Sequence, residues 1–77
     1  SAARELVQQI ENSWTELLRR GMDEGVFVRR DARTLAMAML GMIVGIWRWY
    51  RPRGPVPLSQ LREMIEDACV RIVTPSP

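Results

Sequence analysis

Residues 31–54 read DARTLAMAMLGMIVGIWRWYRPRG, and this stretch decides the fold. From Leu35 to Trp47 it holds 13 residues with no charged or strongly polar side chain. Asp31 precedes it as an acceptor for the free N–H groups of a helix start, and Pro52 follows it as a stop. The spacing predicts a helix over about 32–50. A helix that is apolar all round has to be covered on more than one side. Within it Thr34, Ala38, Gly41 and Gly45 form a narrow stripe of small residues beside a broad band of Leu35, Met39, Met42, Ile43, Ile46 and Trp47. Two glycines in a helix interior cost roughly 1 kcal/mol each relative to alanine. Gly41 and Gly45 have the small-xxx-small spacing at which close approach of another backbone offsets that cost. The neighbour is either in this chain or in a second copy.

Two further helices flank this one. Leu6, Val7, Ile10, Trp14, Leu17, Leu18 and Gly21 fall on one face of a helix spanning about 2–22, with Gln8, Gln9, Asn12, Thr15, Glu16 and Arg19 opposite. Glu16 and Arg20 stand at i,i+4 on it, and Gly21 or Gly25 supplies the residue that ends it. Val26, Phe27 and Val28 then read as an apolar plug tucked against the core. After the stiff loop Arg51–Pro57, a third helix covers about 58–73. Its apolar face is Leu58, Leu61, Met64, Ile65, Ala68, Cys69 and Ile72, and Arg62–Glu66 and Asp67–Arg71 are opposite-charge pairs along its other side. Thr74 to Pro77 form a polar tail that should fray. The expected fold is all-α, one helical domain over 1–77, with too few helices to cover its own middle one. The surplus apolar face predicts a homodimer.

The inventory excludes most chemistry. All 11 basic residues are arginine, with no histidine and one cysteine, so neither a His-based general base nor a His/Cys metal cluster can be assembled. No cofactor or metal is expected, and catalysis is not. Net charge is +2, with 9 carboxylates interspersed among the arginines, which leaves no basic stripe for nucleic acid. The longest apolar run falls short of the roughly 20 residues that span a bilayer, and no secretory leader opens the chain, so no membrane and a cytoplasmic location are the expectations. Trp14, Trp47, Trp49 and Tyr50 either fill core and interface or wall an apolar pocket between helices. A weaker alternative is that the Trp/Arg-rich end of the second helix lies on a membrane surface.

Gly21-x-x-x-Gly25-Val26-Phe27, then Asp31, then Ala38-x-x-Gly41, then Trp49-Tyr50-Arg51-Pro52-x-Gly54 resembles the C-terminal half of TetR-family (tetracycline-repressor-like) transcriptional regulators. The similarity extends from about Leu6 to Val73. The resemblance implies a dimerisation and ligand-binding domain of a repressor that is joined to an N-terminal helix-turn-helix, a part this chain lacks. Operator DNA would then be bound only through that missing domain. It also implies that the last two helices form a dimeric four-helix interface, carried here by Ala38, Gly41, Gly45, Trp49, Leu61, Ile65, Ala68 and Ile72. Trp14, Leu18, Met39 and Trp47 would line the pocket for a small hydrophobic effector; members with this loop often answer to fatty-acyl or steroid-type ligands. The competing expectation is a free-standing helical module that dimerises and senses nothing.

Overall fold

The computed structural model describes residues 1–75 and consists of α1 (Ala2–Asp23), α2 (Ala32–Trp49) and α3 (Leu58–Val73), with no strand among the described residues. All three predicted helices are present, each end within one residue of its expected position. Local chemistry explains the agreement. The Asp31 carboxylate accepts from the backbone N–H of Thr34 at 2.9 Å and also from its hydroxyl, starting α2. Tyr50 and Pro57 take extended backbone on either side of the Pro-rich loop, so α2 stops one residue early and α3 starts at once. Of the two candidate glycines, Gly25 ends α1, with φ of 78°, while Gly21 stays helical and buried. At α1's other end the Ser1 hydroxyl caps the helix by accepting from Arg4 N–H at 3.3 Å.

The core is small. Leu18 and Met22 of α1 meet Ala32, Ala36 and Met39 of α2, and Val73 of α3 closes the cluster. Ala36 is fully buried, so the close helix–helix approach in this chain runs over Ala32 and Ala36. The Gly41/Gly45 stripe takes no part: a Cβ added at either glycine would meet nothing within 4 Å. The close neighbour foreseen for those glycines is therefore not in this chain. Trp14, Phe27, Leu35 and Cys69 pack half-buried around the cluster. Of the expected plug only Phe27 and Val28 tuck in, Phe27 against Gly21 and Val28 by donating its N–H to the Val73 carbonyl at 2.8 Å; Val26 is exposed.

The buried face of α1 is rotated from the expected one. Thr15, placed opposite by its polarity, is buried, and its hydroxyl donates to the Glu11 carbonyl at 2.7 Å, which removes the penalty of burying it. Leu6, Val7, Ile10 and Leu17 remain exposed. Glu16 pairs with Arg19 at 3.1 Å instead of with Arg20, while Arg62–Glu66 (3.7 Å) and Asp67–Arg71 (2.8 Å) form as expected. Thr74 is anchored by its hydroxyl to the Val70 carbonyl, and the rest of the expected fraying, at Ser76 and Pro77, lies outside the described residues.

The molecule is a plate of 43 × 41 × 15 Å. A single helix with its side chains is about 10–12 Å across, so the plate is little more than one helix thick. Its radius of gyration is 14.4 Å, where a compact chain of this length would have about 11.5 Å. Its surface is 6263 Å², against about 4,800 Å² for a folded monomer of 8.9 kDa. Globular domains bury their apolar faces between two packed layers. This chain supplies one.

Candidate functional site

Three apolar hollows lie along α2, each bounded by a different set of segments. The first sits where the C-terminal half of α1 and the middle of α2 meet the end of α3. Trp14, Leu17, Leu18 and Met39 line one side and Cys69, Val70 and Val73 the other, with Phe27 across the end; its volume is about 220 Å³. Helix periodicity explains this meeting. Trp14 and Leu18 lie one turn apart on α1, and Cys69 and Val73 one turn apart on α3, so each helix offers a two-turn apolar edge. Met39, unbranched and polarizable, fills between them.

The second hollow, about 340 Å³, lies between the end of α2 and the start of α3 and is lined by Ile46, Trp47, Tyr50, Pro52, Leu58 and Leu61. Leu61 is its buried floor. Its shape is held by the loop. The Tyr50 hydroxyl donates to the Val56 carbonyl at 3.0 Å, and Gly54 N–H donates to the Arg51 carbonyl at 2.9 Å, closing a tight turn. The Trp49 and Tyr50 rings stand edge-to-face at 6.4 Å. A third hollow, about 320 Å³, runs between the N-terminal half of α1 and the middle of α2, bounded by Val7, Ile10, Met37, Leu40, Gly41 and Val44, with Glu11 at its edge.

The structure brings together three of the four expected pocket residues. Trp14, Leu18 and Met39 share the first hollow; Trp47 stands at the mouth of the second, at the other end of α2 and 87% exposed. Of the residues assigned to an interface, Ala38, Gly41, Trp49 and Ile72 are exposed, Gly45, Ile65 and Ala68 are half-buried, and Leu61 is buried inside the chain. Sequence reading counted Tyr50 among the aromatics that could wall a pocket, but missed Phe27, Val70 and Val73 as walls of the first hollow, and Pro52 and Leu58 as walls of the second. The proline-punctuated loop was the one signal for the latter group, since a stiff loop with an aromatic at its entry can shape a groove.

Charge is uneven along this surface. No acidic residue occurs between Asp31 and Glu63, a span that holds Arg33, Arg48, Arg51, Arg53 and Arg62. Arg62 pairs with Glu66, Arg33 donates to the Asn12 side chain at 3.3 Å, and Arg51 donates to the Tyr50 carbonyl at 3.2 Å. The tip around the second hollow is thus apolar with a cationic border. No titratable side chain lines the first or second hollow except the Cys69 thiol and the Tyr50 phenol. They are equipped to enclose apolar surface, not to move protons.

The described residues form a flat, all-helical plate with apolar hollows, and no group of three or more His, Cys, Asp or Glu among them could hold a metal ion. The profile of the family described as "Tetracyclin repressor-like, C-terminal domain" matches residues 1–73, and the chain belongs to that family. It is a regulator domain of the TetR type. Comparison with curated proteins and with solved structures gave no match. No helix of the described residues is long and apolar enough to cross a membrane.

Proposed function

We propose that this domain dimerises a TetR-type repressor and senses a small hydrophobic effector. The observation that carries the reading is the single-layer plate. Its surface exceeds that of a compact monomer by about 1,450 Å² per chain. Over two chains that excess comes to about 2,900 Å², comparable in size to the about 2,000–5,000 Å² that obligate homodimers bury. The exposed stripe of Ala38 and Gly41 with half-buried Gly45, continued by Ile65, Ala68 and Ile72 on α3, supplies the small residues and the apolar ridge for a four-helix contact.

Effector binding is assigned to the hollow formed by Trp14, Leu18 and Met39. Its apolar walls come from all three helices, so an occupant there would bias how α3 sits on the α1–α2 pair. At about 220 Å³ it is smaller than the 300–1,000 Å³ common for ligand sites, so a bound effector would enlarge it or project from it. DNA recognition would belong to a helix-turn-helix elsewhere in the regulator, and the location would be cytoplasmic.

Native mass spectrometry of the purified chain tests both halves of the proposal. A dimer carrying an extra lipid-sized mass supports the sensing regulator. A bare dimer supports a dimerisation module without sensing, and a bare monomer overturns the assembly reading.

A further inference from the structure

Of the three apolar hollows along α2, only the third carries a formal charge, the Glu11 carboxylate at its edge. We propose that this hollow binds a lipophilic organic cation, an apolar body bearing an ammonium group that Glu11 neutralises. The site is separate from the effector hollow and needs no second copy of the chain.

Helix periodicity builds the site. Val7, Ile10 and Glu11 stand at i, i+3 and i+4 on α1, and Met37, Leu40, Gly41 and Val44 at i, i+3, i+4 and i+7 on α2, so each helix turns one continuous edge to the hollow. Its volume of about 320 Å³ falls within the about 300–1,000 Å³ common for ligand sites, which the effector hollow at about 220 Å³ does not reach. Val7, Ile10, Met37 and Val44 are exposed, so an apolar body seated among them removes surface that the chain itself leaves in water. Gly41 leaves the floor open, since a Cβ there would meet nothing within 4 Å. Met37, unbranched and polarizable, adapts to occupants of different shape. Met37, Leu40 and Val44 are centred about 100° round α2 from the stripe of Ala38, Gly41 and Gly45, with Gly41 on the border of both. An occupant of the hollow therefore leaves the stripe itself uncovered.

The sign of the occupant's charge follows from Glu11. Its side chain is half-buried and, among the described residues, forms no salt bridge or hydrogen bond within the chain. Two other acids of α1 are taken, Glu16 by Arg19 and Asp23 by Arg29. Arg33, one turn before Met37 on α2, donates to the Asn12 side chain at 3.3 Å, and no arginine lines the hollow. A carboxylate beside apolar walls attracts an opposite charge more strongly than one in open water, because the walls lower the local dielectric. An anionic ligand meets repulsion there for the same reason. Added salt should weaken binding of the cation by screening the attraction.

Titration of the isotope-labelled whole chain with benzyltriethylammonium, followed by amide NMR, tests the proposal, with benzyl alcohol as the neutral comparator and phenylacetate as the anionic one. The cation should shift the amides of Ile10, Glu11, Leu40, Gly41 and Val44 and bind more tightly than benzyl alcohol, while phenylacetate leaves these signals in place. Glu11→Gln should weaken binding of the cation about three- to tenfold and leave benzyl alcohol unchanged. Val44→Arg, at an exposed position, should abolish cation binding with helicity by circular dichroism intact, and Glu63→Gln on α3 should change nothing. Equal binding of the cation by wild type and Glu11→Gln would overturn the proposal, as would no shift at all or phenylacetate shifting the same amides. If the cation instead shifts Trp14, Leu18 and Met39, it occupies the effector hollow, which supports the effector reading and overturns this one. If the hollow's amides shift with protein concentration and not with the cation, a second copy covers the hollow, and the proposal falls while the dimer reading stands.

Discussion

Gly21 and Phe27 show how one missing side chain sets local structure. Replacing an interior helical glycine by alanine ordinarily stabilises by up to about 1 kcal/mol. At Gly21 the added Cβ would lie inside the van der Waals surface of the Phe27 ring. The ring would have to leave the core edge, and we expect Gly21→Ala to destabilise by about 1–3 kcal/mol. In a Phe27→Ala background the same substitution should become neutral or stabilising. Urea denaturation of the four proteins in this cycle measures the coupling, and a stabilised Gly21→Ala single variant would contradict it. Asp31 makes a different residue-scale prediction. Its carboxylate accepts from the Thr34 hydroxyl and then from the Thr34 N–H, and these bonds hold it below its ordinary value of 3.8. A folded-state pKa below the unfolded one contributes stability that is present above the unfolded value and lost as pH falls through the folded value. Melting temperature should therefore fall on acidification through the carboxylate range, and fall less in Asp31→Asn, whose amide can still accept from Thr34 but does not titrate. Equal acid sensitivity of the two proteins would mean that the cap makes no contribution to it.

At the scale of the element, α2 was legible in its extent and not in its surroundings. Asp31 and Pro52 are local signals, because a cap and a missing N–H act within one turn, so they placed the helix ends almost to the residue. The apolar run also announced a helix needing cover on several sides. Which side met which partner was not legible, since periodicity reports the total apolar surface and says nothing of what covers it. The alanines at 32 and 36 took the intramolecular contact, while the glycines at 41 and 45 were left open. Likewise the first hollow could be foreseen in part from Trp14, Leu18 and Met39, whereas Trp47 lay too far along the same helix to join them. The open glycines give a test whose sign depends on assembly. In the isolated chain Gly41→Ala has room and should gain up to about 1 kcal/mol of helix propensity. In a dimer packed over the stripe it should lose affinity, and Gly41→Leu should abolish the dimer. A thermal melt at high dilution, paired with sedimentation at high concentration, separates the two effects. A gain in stability at both concentrations, with an unchanged oligomer, would show that the stripe faces solvent.

For the molecule as a whole, the limiting quantity is buried surface. A chain of this size lies where one core is only marginally sufficient even when compact. This one spreads its three helices into a plate 15 Å thick, and among the described residues no large side chain reaches full burial. Its core consists of Leu18, Met22, Met39 and Val73 around two alanines, while Val7, Val44, Trp47 and Leu58 stay in water. If the plate is half of an obligate pair, folding and association are one equilibrium, and the apparent stability must depend on protomer concentration through mass action. Melting temperature should then rise with each tenfold increase in concentration, and the unfolded fraction should grow on dilution at fixed temperature. Gly41→Leu should lower the melting temperature at a given concentration although a Cβ added there meets nothing within 4 Å in its own chain. A melting temperature independent of concentration over several decades would mean that one layer suffices for folding. The excess surface would then serve a partner that the chain does not need in order to fold.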